Sequence, residues 1–325
     1  MKKNIFVFIS IIAAFFIISC SNTSVDGNGC YIDIDDAVKA ANKNNQDIMI
    51  IVSLGTDGED SSDFINNVVC SSEFKSDIAS KYSVVCMDFS QKAYEATTVA
   101  EAADDSAKKA AEKNAMIMQK NAKYATMLNV TETPAIFLLS KEQYFITGLY
   151  YDEEKRTLDG FKSVLADHSA LIDDMHKMIY QTKIGNSEEK IHSIDALYEA
   201  TNPSYRFFLY DLIASVPKLD PSNKTGLVGK YLYDAAVAKS DKAIFDGDVK
   251  NAVQAYLDII DLEAIPAESR QEALYTAAFM CSRSGLEEKS VVINYLEKAI
   301  ELAPESEAVP AIQRVITALN TQTQE

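Results

Sequence analysis

The first long apolar stretch, about Ile5 to Ile18, follows Met1-Lys2-Lys3 and is roughly fourteen residues long, short for a typical membrane span. Past a polar segment, "SNTSVDGNG", the pattern changes period several times. Ala37, Val38, Ala40 and Ala41 recur at helical spacing, and Ile48 to Val52 is a continuous apolar run suited to a strand buried on both faces. Phe64, Val68, Val69 and Phe74 predict a second helix, for which Ser61 or Ser62 offers an N-cap. "SVVCMDF", Ser83 to Phe89, is the second buried strand, and together these segments make a βαβ unit. An alanine-rich helical stretch, about Ala93 to Met127, leads to strands at Ala135 to Leu139 and Tyr144 to Tyr151, then to a helix from Thr157 to Asp167.

From Ser169 the signals are helical almost throughout, over 170–182, 187–200, 204–216, 225–245, 249–262, 268–284, 286–302 and 305–319. Short turns between so many amphipathic helices predict a stacked helical array. The pattern therefore divides the chain into a leader (1–19), a tether (20–30), an α/β domain (31–168) and an all-α domain (169–325).

The lysines, the apolar run and a small residue before Cys20 make a signal peptide. "IISC", Ile17 to Cys20, resembles the lipobox of bacterial lipoproteins, and that resemblance implies a lipidated Cys20 as the first mature residue. Each acyl methylene adds about 0.8 kcal/mol of membrane affinity, so two or more chains anchor stably where one does not. The expected location is the extracytoplasmic side of a bacterial envelope.

A formal charge of −17, which loss of Lys2 and Lys3 makes more negative, sets nucleic acid aside as a partner. The partners expected are the membrane, through the lipid, and a protein or peptide. Besides Cys20 the cysteines are Cys30, Cys70, Cys86 and Cys281; none forms a Cys-x-x-Cys, and their spacing fits no zinc module. They read as small buried hydrophobes plus one tether thiol, with a Cys70–Cys86 bridge left open.

"NAKYATMLNVTETPAIFLL" carries a second resemblance. Tyr124, Val130, Thr133 and Pro134, followed by an apolar strand, are similar to the cis-proline segment of thioredoxin-like domains. The order βαβ, α, ββα over 31–168 is similar too, implying a central mixed sheet with flanking helices. The resemblance places Thr133 and a cis Pro134 at a peptide-binding corner facing the redox loop. In that loop Glu59 stands at the nucleophilic cysteine, Ser62 at the resolving cysteine, and Ser53 where the family keeps a buried aspartate. Thiol–disulfide exchange needs a thiolate and a second sulfur, and a glutamate with a serine supplies neither.

"TDGEDSSD" also admits a calcium reading through Asp57, Glu59, Asp60 and Asp63, but it fails the EF-hand register. Acidic residues also simply suit the first turn of a helix. His168, His176 and His192 read as solvated surface. No phosphate loop or nucleophile elbow is present in the sequence, and no catalytic residue, metal or cofactor is assigned.

In the second domain "GDVKNAVQAYLDII", with Gly247, Ala252, Tyr256 and Pro266, resembles the tetratricopeptide pattern. So do Leu274, Ala277, Ala278, Gly285, Val292, Leu296, Ala299 and Pro304. A generic helical bundle is the plainer reading. "SYRFFLY" (Tyr205, Phe207, Phe208, Tyr210) is core, or alternatively part of a binding face. The expected function is a lipid-anchored binding or adaptor module, redox-inactive at the usual site. The alternative is a thiol–disulfide oxidoreductase or thiol-dependent chaperone using Cys30, Cys70 or Cys86.

Overall fold

The computed structural model describes residues 25–101, 103–149, 152 and 156–321. The signal peptide, Cys20 and the first part of the tether lie outside the described residues. Two compact units form: residues up to Gln143 with Thr147–His168, and Tyr144–Ile146 with the chain from Ser169 onward.

The first unit is built on a mixed four-stranded sheet of order β2-β1-β3-β4. The strands are β1 (Asp47–Ser53), β2 (Tyr82–Asp88), β3 (Ala135–Leu139) and β4 (Phe145–Leu149). β1 runs parallel to β2, with Ile51 opposite Cys86, and antiparallel to β3, with Val52 opposite Ala135. Ile48 to Val52 are fully or almost fully buried, which is why this run carries no polar alternation.

α1 (Ile34–Asn44) is capped by Asp33, whose side chain accepts from Asp35 N, and ends at left-handed Asn45. α2 (Glu59–Phe64) continues into a π turn, Ile65–Val69, and Phe64 packs edge-on against Phe161, both fully buried. α3 (Phe74–Asp77) completes the crossover to β2.

The alanine-rich stretch is not one helix. Ser90 caps the short α4 (Gln91–Glu95), and Asp104 caps α5 (Asp105–Met127). Two cap residues inside an alanine-rich run thus decide where helix starts. Lys120 of α5 pairs with Asp33 at 3.0 Å and Asp35 at 2.5 Å, and Asn121 donates to Ile32 O at 2.9 Å, fixing α5 to the start of α1. α6 (Leu158–Asp167), capped by Thr157, closes the unit.

The tether differs from its expectation. Val25 and Tyr31 bridge each other across a turn, Asp26 accepts from the N–H groups of Asn28 and Cys30, and Tyr31 bridges Val85 in parallel. Tyr31 N donates to Val84 O at 2.7 Å and Cys86 N to Tyr31 O at 2.9 Å. Residues 25–31 therefore cover the outer edge of β2 instead of hanging free.

The second unit is helical. It begins with α7 (Ser169–Gln181) and α8 (Ser187–Ala200), the latter opened by a capping box of Asn186 and Glu189. The helix expected over 204–216 is instead a 3₁₀ segment, Pro203–Leu209, with the short α9 (Tyr210–Ile213) and α10 (Val216–Leu219). Pro203 and Pro217 each fall in the first turn of a separate piece, where their missing N–H costs nothing. α11 (Val228–Phe245), α12 (Val249–Leu257), α13 (Ala267–Ser284), α14 (Lys289–Leu302) and α15 (Val309–Thr321) then pack each on the next. Ala252, Leu274, Ala277, Ala278, Leu296 and Ala299 are buried to 1% exposure or less, so alanines and leucines together fill the spaces between these helices. Gln271 donates to Ala299 O and Ala303 O, closing the end of α14.

Candidate functional site

The sequence candidates gather around the end of β1. Ser53, its last residue, is buried, and because Ala135 pairs with Val52, the register brings Pro134 level with Ser53. The Thr133–Pro134 peptide is cis, and both residues are half-buried. From Ser53 the chain turns through Gly55 at φ +54°, where a Cβ would meet Asp88 Oδ1 at 2.8 Å. That turn is therefore closed to other residues without strain.

Glu59 is the exposed first residue of α2, after the extended Gly58. Ser62 is half-buried; its N donates to Gly58 O at 2.8 Å and its Oγ accepts from Asn66 at 3.2 Å. Neither serine is the cap that the pattern predicts. Ser61 is buried, and its hydroxyl accepts from Leu54 N at 3.2 Å, because the helix, capped at Gly58, starts three residues earlier than a Ser61 cap would allow.

Asp57, Asp60 and Asp63 of the loop are bound to protein groups. Asp57 accepts from Gln91 N, and Asp60 and Asp63 both pair with Arg156, the latter at 2.9 Å. Two of these carboxylates thus share one guanidinium, and the third is held by a backbone N–H. Among the described residues no group of three or more His, Cys, Asp or Glu side chains could hold a metal ion.

The sulfur lies on the other side of β1. The four described cysteines are thiols, with Cys30 and Cys281 buried, Cys86 partly exposed and Cys70 exposed. Cys30 and Cys86 flank the Tyr31–Val85 bridge on the same side of the local pleat, one residue to either side of it. The nearby Cys30 thiol, then burial, pushes the Cys86 thiol well above its ordinary value. Cys70, which ends the π turn, accepts from Asn28 Nδ2 at 3.5 Å and so stands beside the same turn. The sequence pattern could not show this convergence, since Cys30 falls in the segment that composition assigns to a tether.

In the second unit Lys230 pairs with Asp195 at 2.8 Å and Glu199 at 2.6 Å, and lies 5.4 Å and 5.0 Å from the ring centres of Tyr198 and Tyr231. The Arg206 guanidinium lies 4.5 Å from the Tyr198 ring centre and pairs with Glu199. Burial pushes the Tyr198 and Tyr231 hydroxyls up, and nearby carboxylates add to this. The Tyr231 hydroxyl donates to Asp195 Oδ1 at 2.5 Å. A separate groove of about 220 Å³ between α13, α14 and α15 is lined by Phe279, Arg283, Val292, Leu296, Val315 and other residues, with Phe279 half exposed.

Comparison with known proteins adds three findings. Residues 227–325, which hold α11 to α15, match a family described as an uncharacterised protein C-terminal domain. A protein of Treponema pallidum (strain Nichols), described as uncharacterized, is 28% identical over 135 residues, covering 41% of this chain and 44% of that protein. The chain thus matches less than half of that relative's length. Among solved structures, one described as DsbH oxidoreductase is similar over 46% of this chain and 92% of its own, at 15% identity and a TM-score of 0.31.

Proposed function

We propose that this chain is a lipid-anchored extracytoplasmic protein whose first unit is a thioredoxin-like domain without dithiol chemistry at its corner, and that it works as a binding or adaptor module. The observation that carries the reading is the composition of the β1 corner. Pro134 stands level with Ser53, and the loop from there to Ser62 holds carboxylates, hydroxyls and glycines but no sulfur. The strand order supports the fold assignment, because Tyr31 occupies the place of an outermost first strand beside β2. Leu54, exposed at 38%, offers the corner an apolar contact for a peptide or protein. The helical unit is a tetratricopeptide-like array, a reading supported by the buried small residues of α12 to α14.

Two assays test this. In insulin-disulfide reduction with dithiothreitol, the mature protein gives the rate of reductant alone; sustained turnover above it overturns the redox-silent reading. With a photo-reactive residue at Leu54 of the lipidated chain in envelopes, one discrete protein adduct is expected, and capture of lipid alone overturns the binding role.

A further inference from the structure

The helical unit holds a groove that the β1 corner does not use. It opens between α13, α14 and α15 with a volume of about 220 Å³; Phe279, Val292, Leu296, Val315 and Leu319 line it, and Arg283 is the one charged side chain in its walls. An engineered cavity of about 150 Å³ with aliphatic and aromatic walls admits benzene, so this groove has room for a phenyl ring and a short alkyl arm. Phe279 is 53% exposed, and the Arg283 guanidinium lies 5.4 Å from its ring centre. Arg156 and Arg206 hold carboxylates and Arg270 donates to Ile260 O, whereas Arg283 makes no ion pair among the described residues. The last carbonyls of α13 are met by other groups, since Gly285 N donates to Cys281 O and Ser284 Oγ to Met280 O. In a chain of formal charge −17, a lone cation on an apolar wall inverts the local field. It selects for a ligand that carries a carboxylate beside an apolar body.

We propose that this groove binds a small apolar monocarboxylate, its aryl or alkyl body lying among α13, α14 and α15 and its carboxylate paired with Arg283. Size and lining both favour such an acid over a peptide. The backbone N–H and C=O groups along α13, α14 and α15 are engaged within the helices, so an extended segment laid there finds no backbone partners. Besides Arg283, the polar side chains of the walls are Tyr275 and Ser282. A docked amphipathic helix brings anchors spaced over about two turns, which is more than 220 Å³ admits. A single-ring or medium-chain acid needs one apolar slot and one cation, and the groove supplies both. The site goes beyond the binding role proposed for the corner and needs neither the leader nor Leu54.

The test titrates the mature chain, carrying labelled valine and leucine methyl groups, with hydrocinnamate and separately with its neutral amide, read by nuclear magnetic resonance. Saturable shifts are expected at Val292, Leu296, Val315 and Leu319. The amide should bind roughly 10–100-fold more weakly, the worth of a hydrogen bond to a charged group. Arg283→Gln, at an exposed position, should weaken the acid by the same factor and leave the amide unchanged. Absence of saturable shifts at these methyls, or equal binding of acid and amide, overturns the proposal. A short peptide ending in phenylalanine is the third probe: weaker binding than the free acid is expected, and tighter binding overturns the assignment to a small acid. The acid and amide are compared on the unmodified chain, which decides the matter even if the variant fails to fold. None of these outcomes depends on capture of a partner at Leu54, so the two readings fail separately.

Discussion

Replacing Gly229 by alanine reverses a familiar expectation. Glycine within a helix costs up to about 1 kcal/mol relative to alanine, so Gly229→Ala on propensity alone would stabilise α11. The structure places the new Cβ 2.0 Å from Ala264 O, 2.9 Å from Ala264 C and 3.3 Å from Ile265 Cα. These are backbone atoms, so no side-chain rotation relieves the overlap. The segment must retreat by more than an ångström, and Ile265, 1% exposed, leaves its place in the core of α12 and α13 with it. Overpacking costs about 1–3 kcal/mol, and a backbone clash belongs at the upper end. Against a gain of at most about 1 kcal/mol, the net loss is about 2 kcal/mol, or roughly 4–8 °C in the midpoint of a unit this size. Urea unfolding followed by far-ultraviolet circular dichroism, with calorimetry, measures it. A variant as stable as wild type, or more stable, refutes the close approach of α11 to the Ala264 carbonyl.

At Asp195, burial pushes the carboxyl up, but hydrogen bonds from Lys230 and Tyr231 outweigh it, so the native value lies below the ordinary one. Its contribution, about 1 kcal/mol, is present above the unfolded value near 3.9 and is lost as pH falls through the lower native one. Asp195→Asn should therefore flatten the fall in stability below about pH 4, measured by urea unfolding across pH, and an unchanged profile contradicts this. Gly55→Ala should destabilise by about 1–2 kcal/mol, because a left-handed φ and the nearby Asp88 carboxylate both oppose a Cβ; thermal unfolding at wild-type temperature refutes it. Cys20→Ser should abolish incorporation of labelled palmitate and leave the leader uncleaved on gels, and continued labelling counts against lipidation at that residue.

The strands were legible because a strand buried on both faces needs an unbroken apolar run, and Ile48 to Val52, Val84 to Met87 and Ala135 to Leu139 are such runs. Helix starts were less so. Several polar residues in "GEDSSD" could cap, and the choice fell to Gly58 because Ser61 was needed inside, against Leu54 N. Ser90 and Asp104 interrupt the alanine-rich stretch, where propensity alone favours one long helix. At the corner, the loop residues could be placed by their order along the chain. The pairing of the Cys30 segment with the edge of β2 could not, since it depends on a single bridge between segments more than fifty residues apart and on no local pattern.

The most direct measurement returns sulfur to the corner. Glu59 and Ser62 lie three residues apart at the start of α2, the spacing of a dithiol that closes on itself. If residues 53–62 keep the shape of a redox loop and lack only its chemistry, Glu59→Cys with Ser62→Cys forms an internal disulfide, shown by peptide mapping. The same variant then reduces insulin where the parent protein does not. Two thiols at 59 and 62 that remain unpaired under oxidised glutathione, with no gain in turnover, would contradict the account.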